Sequence, residues 1–214
     1  MNQTISPCWI YEGIIPSKVC DEIINETDEK NYNSATVFKE EDGKIYDKHN
    51  SSNSSGENNK IDVDIRNVSI QFINSPWVNN LMRGFILSAN EHNFLYDLSE
   101  IDKEPCQLSR YSGTKNNSQY YNIHKDWVNI RTCESYTRKL SLSCQLTNPN
   151  DYEGGDLILY LEDPPTSKIV EYTVSKKQGT IIVFDSRIRH KVTPVTLGTR
   201  HSVVKWYHGD KPLR

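Results

Sequence analysis

The rhythm of apolar and polar positions changes several times along the chain. The opening run, Trp9-Ile10-Tyr11-Glu12-Gly13-Ile14-Ile15, reads as a strand. After Pro16, Val19, Ile23 and Ile24 fall on one side of a short helix, with Ser17 as its expected N-cap and Asp21 and Glu22 near its positive end. Residues 26–62 lose this order. They are dense in Asp, Glu, Lys, Asn and Ser, and Asn50-Ser51-Ser52-Asn53-Ser54-Ser55-Gly56 approaches low complexity, which predicts a mobile polar insert or a lid over a substrate. A second helix is signalled by Ser75 as cap, Pro76 at the first helical position, and Trp77, Leu81, Phe85 and Ser88 at helical spacing to about Asn90.

From Cys106 the pattern becomes β. Short apolar runs cover 106–111, 139–147, 156–161, 169–174, 180–184, 190–195 and 200–207. Turn chemistry separates them: Asn148-Pro149-Asn150-Asp151, Gly154-Gly155, Pro164-Pro165, Lys177-Gln178-Gly179 and Leu197-Gly198. No helix-length segment intervenes, which disfavours a parallel α/β sheet and predicts a mainly β sandwich or jelly roll with flanking helices.

The chain has 214 residues, enough for one domain with a sizeable core and no need of a disulfide or metal staple. Its net charge of −3 argues against a nucleic-acid binder. No apolar stretch approaches about 18 residues, so no membrane span is expected, and Met1-Asn2-Gln3-Thr4 lacks the features of a signal peptide. The five cysteines (8, 20, 106, 133 and 144) are odd in number and form no Cys-x-x-Cys pair, which predicts reduced thiols and a cytoplasmic location.

The chemistry rests on a few side chains. His-x-Asp occurs twice, and His208-Gly209-Asp210 is set aside as a C-terminal tail. In His124-Lys125-Asp126, residues i and i+2 of one strand would point into one cavity, and His190 at the start of a later strand would supply a third ligand. Two imidazoles and one carboxylate on one face of an octahedron leave three positions open, the facial triad of non-heme Fe(II) oxygenases. On the last strand, Arg200, Ser202, Val204 and Trp206 share a face, and an inward Arg200 needs a partner such as a carboxylate ligand, with Ser202 beside it. His201 is expected to face away. Val204, Trp206, Leu142 and Val183 are the expected apolar wall of the site, Trp127 a brace or stacking group, and 127–138, with Asn129, Arg131 and Arg138, a solvated loop.

The pieces Gln107-Leu108-Ser109-Arg110-Tyr111, Tyr121-Asn122-Ile123-His124-Lys125-Asp126, Leu140-Ser141-Leu142-Ser143-Cys144-Gln145-Leu146, Tyr152-Glu153-Gly154-Gly155-Asp156-Leu157, Gly179-Thr180-Ile181-Ile182-Val183-Phe184 and His190-Lys191-Val192-Thr193-Pro194-Val195 through Arg200 to Trp206 resemble the Fe(II)- and 2-oxoglutarate-dependent dioxygenases of the prolyl 4-hydroxylase-like group. The resemblance implies a distorted double-stranded β-helix (jelly roll) with its core at about 105–210, within a single domain over 1–214. It implies Fe(II) on His124, Asp126 and His190, and 2-oxoglutarate on Arg200, with Tyr111 and Ser202 as further contacts and ascorbate as an accessory. The implied activity is hydroxylation of prolyl residues in a peptide or protein substrate, with release of succinate and CO2. A free amino acid or other small molecule as substrate, or a non-catalytic binding jelly roll, are the alternatives. The resemblance implies neither a membrane nor a nucleic-acid partner.

Overall fold

The computed structural model describes residues 6–34, 39–41, 44–46, 66–99, 104–127 and 137–209. Most of the 26–62 insert, most of the 127–138 loop with Asn129 and Arg131, and Cys133 and Asp210 lie outside the described residues. The strands are β1 (Cys8–Tyr11), β2 (Asn33–Ser34), β3 (Lys39–Glu41), β4 (Lys44–Tyr46), β5 (Arg66–Asn67), β6 (Ser69–Ile73), β7 (Cys106–Thr114), β8 (Asn117–His124), β9 (Thr137–Gln145), β10 (Tyr152–Gly154), β11 (Leu157–Asp163), β12 (Lys168–Thr173), β13 (Ile181–Asp185) and β14 (His190–Gly209). The α-helices are α1 (Ser17–Asn25) and α2 (Pro76–Ala89), the latter running into a π-turn over Asn90–Phe94.

All pairings are antiparallel, as the short strands and turn residues predict. Two layers form because β14 belongs to both. Its first half pairs with β11 and β8, and its second half with β7 and β9. One layer therefore runs β1-β13-β9-β14-β7-β6-β2, and the other β12-β11-β14-β8-β5. Sequence reading divides β14 into two strands at Thr196–Thr199. The chain instead stays extended there, with Leu197 and Gly198 paired to β10.

Alternation assigns each strand residue to one of two cores. Leu140, Leu142 and Cys144 of β9, Ile181 and Val183 of β13, and Val203 and Tyr207 of β14 pack under α1 and α2. Ile182, Phe184, Tyr111, Tyr152, Leu157, Leu159, Val192 and Val195 pack between the layers. Leu142 and Val183 thus line the helix side, and the wall of the site comes from their neighbours one residue along.

The helices also correct the sequence reading. α1 takes Pro16, not Ser17, as its N-cap residue, and the amides of Val19 and Cys20 bond the Pro16 carbonyl. Ser75 does occupy the α2 cap position, but its side chain makes no capping bond. Asn79 ties down this end instead, bonding the carbonyls of Ile73 (2.7 Å) and Ser75 (2.9 Å) and the amide of Cys106 (2.7 Å). The buried stripe of α2 is Val78, Met82, Ile86 and Ala89, one residue on from the stripe read from sequence. Trp77, Leu81 and Phe85 of the other stripe are also apolar, and Trp77 lies at the rim, donating its indole N–H to Glu26 (2.6 Å).

Since Met82 is fully buried while Leu87 is 37% exposed, Met82→Ala is expected to cost about 2–5 kcal/mol in urea unfolding. Leu87→Ala is expected to cost under about 1 kcal/mol. The reverse ranking would show that the buried face is the other one.

Candidate functional site

Three donor side chains meet where β8 ends and β14 begins. His124 is the last residue of β8, His190 the first of β14, and the two are direct cross-strand partners. Their ring centroids lie 4.1 Å apart. Asp126 is not on the strand with His124; it sits in a bend just beyond it. The bend is tied to the segment before β14 by the Trp127 amide, which donates to the Ser186 carbonyl at 2.9 Å. This brings Asp126 Oδ1 to 3.7 Å from His124 Nε2, and Asp126 Oδ2 to 3.5 Å from His190 Nε2. One ligand atom from each of the three lies within 4.8 Å of the others, close enough for a single ion to touch all three.

Backbone carbonyls fix the presentation of both rings. His124 Nδ1 meets the Asn122 carbonyl at 2.7 Å, and His190 Nδ1 meets the Ile188 carbonyl at 3.0 Å. A carbonyl only accepts, so each Nδ1 carries the hydrogen and each Nε2 turns its lone pair toward Asp126. Burial, with the positive field of His190 second, lowers the His124 imidazole to about 3. Burial alone would raise Asp126, but His190, His124 and Arg138 outweigh it and hold the carboxyl at about 2. A neutral imidazole and an ionised carboxylate are the forms that bind metal.

Arg200 lies 1% exposed between the layers. Its Nη1 donates to Ser202 Oγ at 3.1 Å, its Nη2 donates to Gln145 Oε1, and its buried Nε has no partner. Gln145 in turn donates to the Tyr152 hydroxyl at 3.0 Å. The guanidinium carbon is 5.3 Å from the Tyr111 ring centroid. Tyr111 packs in the core between the layers, and burial holds its hydroxyl above the ordinary pKa against the opposing field of Arg200. Gly155 adopts φ +67°, and a Cβ there would come within 2.9 Å of Arg200 Cδ, so this glycine leaves room for the arginine stem.

All six residues singled out in the sequence, His124, Asp126, His190, Arg200, Tyr111 and Ser202, therefore point between the layers or lie at their edge. His201 faces the other way, with Nδ1 3.3 Å from Thr147 Oγ1. His208 is 3% exposed within β14, so the second His-x-Asp does not begin in a tail. Sequence reading passed over Gln145 and Tyr152, and also Tyr121, which stacks on His124 with centroids 3.4 Å apart and Arg66 4.5 Å over its ring. The signal for Gln145 was the polar alternation Ser141, Ser143, Gln145 on a strand whose other face is apolar.

Burial, then Arg110 and Arg200, lowers the His201 imidazole from 6.5 to about 4. The folded state thus prefers the neutral ring, and this contribution to stability is complete above pH 6.5 and lost as pH falls toward 4. His201→Gln is expected to flatten that acid limb, measured as urea midpoints between pH 6.5 and 4. Parallel limbs in the two proteins would contradict it.

Known proteins resemble the chain in sequence and in fold. Residues 106–208 match the 2OG-Fe(II) oxygenase superfamily. A PKHD-type hydroxylase of Nitrosomonas eutropha is 30% identical over 124 residues, covering 56% of this chain and 51% of that one. A PKHD-type hydroxylase of Alteromonas mediterranea is 34% identical over 105 residues, covering 48% and 42%. The chain spans about half the length of the curated relatives it matches. Among solved structures, a Pseudomonas putida prolyl-4-hydroxylase superposes with a TM-score of 0.64 at 18% identity, covering 96% of this chain and 94% of that one. A Trichoplax adhaerens prolyl hydroxylase, in complex with a hypoxia inducible factor peptide fragment, gives 0.66 at 17%, covering 95% and 84%. At these identities the two structures establish a shared fold.

Proposed function

We propose, from the premise that this chain belongs to the 2OG-Fe(II) oxygenase superfamily, that it hydroxylates prolyl residues in a peptide or protein substrate. The observation that carries the reading is the meeting of the His124, Asp126 and His190 donors within 4.8 Å, with a fully buried arginine deeper between the same layers. Two neutral nitrogens and one carboxylate oxygen suit ferrous iron and leave sites for other ligands.

Iron and 2-oxoglutarate supply the oxidising chemistry: the keto acid loses CO2 and becomes succinate, while one oxygen atom of O2 enters a substrate C–H bond. The chain's own residues bind and orient. Arg200 takes the distal carboxylate of the keto acid, using its spare Nε–H and the donors it now shares with Gln145 and Ser202. Those two acceptors hold the guanidinium in place before the ligand arrives, and the Tyr111 ring packs beside it. Phe184 packs edge-on against the His190 ring at 4.9 Å, and with Ile182, Val192 and Leu159 keeps water from the inner side of the site.

The prolyl substrate is supported by the fold shared with prolyl hydroxylases and by the peptide held by the Trichoplax neighbour. Ascorbate fits as a reductant that returns oxidised iron to the ferrous state. The described cysteines are free thiols, which supports a reducing compartment such as the cytoplasm. No helix among the described residues is long and apolar enough to cross a membrane.

The test is succinate formation with Fe(II) and 2-oxoglutarate, comparing a panel of proline-containing peptides with free amino acids. Succinate and hydroxyproline are expected to rise together with at least one peptide, and response to free amino acids alone would overturn the substrate assignment. Asp126→Ala is expected to abolish stoichiometric Fe(II) binding in equilibrium dialysis. Arg200→Ala is expected to raise the 2-oxoglutarate KM more than about tenfold, since a hydrogen bond to a charged group contributes roughly 1.5–3 kcal/mol. An unchanged KM would remove Arg200 from the carboxylate site.

A further inference from the structure

We propose that the Tyr152 hydroxyl is a second donor to the anion held by Arg200, and so a binding residue for the distal carboxylate of the keto acid. The inference rests on the Arg200 carboxylate site proposed above and adds to it a residue from another strand.

The hydrogen-bond polarity of this cluster is forced. A guanidinium only donates, so the end of the Gln145 amide that meets Arg200 Nη2 is Oε1. The other end, Nε2, carries two hydrogens and lies 3.0 Å from the Tyr152 hydroxyl oxygen. That oxygen therefore accepts, and the hydroxyl proton is left to be given elsewhere. No described residue takes it. Burial holds the hydroxyl above its ordinary pKa against the field of Arg200, so the proton is present at neutral pH. Tyr152 is 4% exposed, and a buried donor without an acceptor is costly until a ligand supplies one.

The arginine and the hydroxyl are neighbours. Gln145 touches both and spans them. A Cβ on Gly155 would come 2.9 Å from Arg200 Cδ and 3.2 Å from Tyr152 Cε2, so the arginine stem and the edge of the tyrosine ring flank one glycine. Main-chain pairing sets Tyr152 opposite Gly198, two residues before Arg200. The ring is also held by Lys176, whose Nζ lies 4.6 Å from its centroid and donates to the Gly154 carbonyl at 2.6 Å. Arg200 keeps a buried Nε–H without a partner, and its two present acceptors are neutral. The group that completes this cluster is thus an anion, and a carboxylate has two oxygens to meet the two orphaned donors.

Calorimetric titration of the full chain loaded with Mn(II) tests this, with folding of each variant checked by thermal unfolding. The probes are 2-oxoglutarate and oxalate, which chelates a metal but has no distal carboxylate. Tyr152→Phe keeps the ring and removes the proton. It is expected to weaken 2-oxoglutarate binding about tenfold, as loss of a hydrogen bond to a charged group does, and to leave oxalate binding unchanged. The same loss is expected in a Gln145→Leu background, where a tyrosine acting only by holding Gln145 would have no effect. Wild-type 2-oxoglutarate affinity in Tyr152→Phe, an equal loss for oxalate, or a loss that vanishes in the Gln145→Leu background would overturn the contact. Arg200→Ala separates the two levels: if it binds 2-oxoglutarate as the wild type does, the carboxylate site fails and the Tyr152 contact with it. If it weakens 2-oxoglutarate while Tyr152→Phe binds normally, only the Tyr152 contact fails.

Discussion

Burying two opposite charges inside a β-sandwich is the constraint to which the other features answer. Asp126 is 6% exposed and Arg200 1%, and an isolated charge in such a place would cost several kcal/mol. The inner face of β9 is polar for this reason, carrying Ser141, Ser143 and Gln145, while its outer face is Leu140, Leu142 and Cys144 against the helices. Asp126 faces the Nε2 lone pairs of two imidazoles, an arrangement that a shared cation would complete, and Arg200 is answered by a hydroxyl and an amide. The partners differ in kind. The imidazoles leave lone pairs that a cation can take, and the neutral oxygens leave the arginine its charge, which an anion can take.

Both ends of the site hang on β14. His190 opens it, Arg200 comes ten residues later, and the strand passes from one layer to the other between them. Register shifts after His190 and after Val192 bend it on that path. Gly154 and Gly155 meet it at the bend with positive φ, where a Cβ on Gly154 would lie 2.0 Å from the Pro194 carbonyl oxygen. The relative placement of cation and anion sites is thus set by main-chain geometry within a single element.

Much of this was legible from residue pattern, and the failures have physical reasons. The strands from Cys106 onward could be read because turn residues punctuate them. β8 could not, because Asn117-Ser118-Gln119-Tyr120-Tyr121-Asn122 has no apolar alternation and its residues are half-buried at most. The convergence of His124 and Asp126 follows from a bend, not from strand parity, so the spacing found the right residues by a wrong route. Leu142 and Val183 were assigned to the wrong core because the site was expected to be walled by apolar residues, whereas on β9 the polar face, Ser141, Ser143 and Gln145, is the one turned to it. The α2 stripe was misplaced by one residue because two adjacent apolar stripes compete and only packing chooses. Gln145 is marked locally only by the polar alternation of its strand; the arginine it serves lies 55 residues away.

Both histidine rings are locked by the main-chain oxygen two positions upstream, Asn122 in one case and Ile188 in the other. Every amino acid brings that oxygen, whatever its side chain. Evolution is therefore free to vary the identities at 122 and 188 without disturbing ring tautomers, and a comparison of related chains that scores only side-chain identity would overlook two fixed supports of the centre.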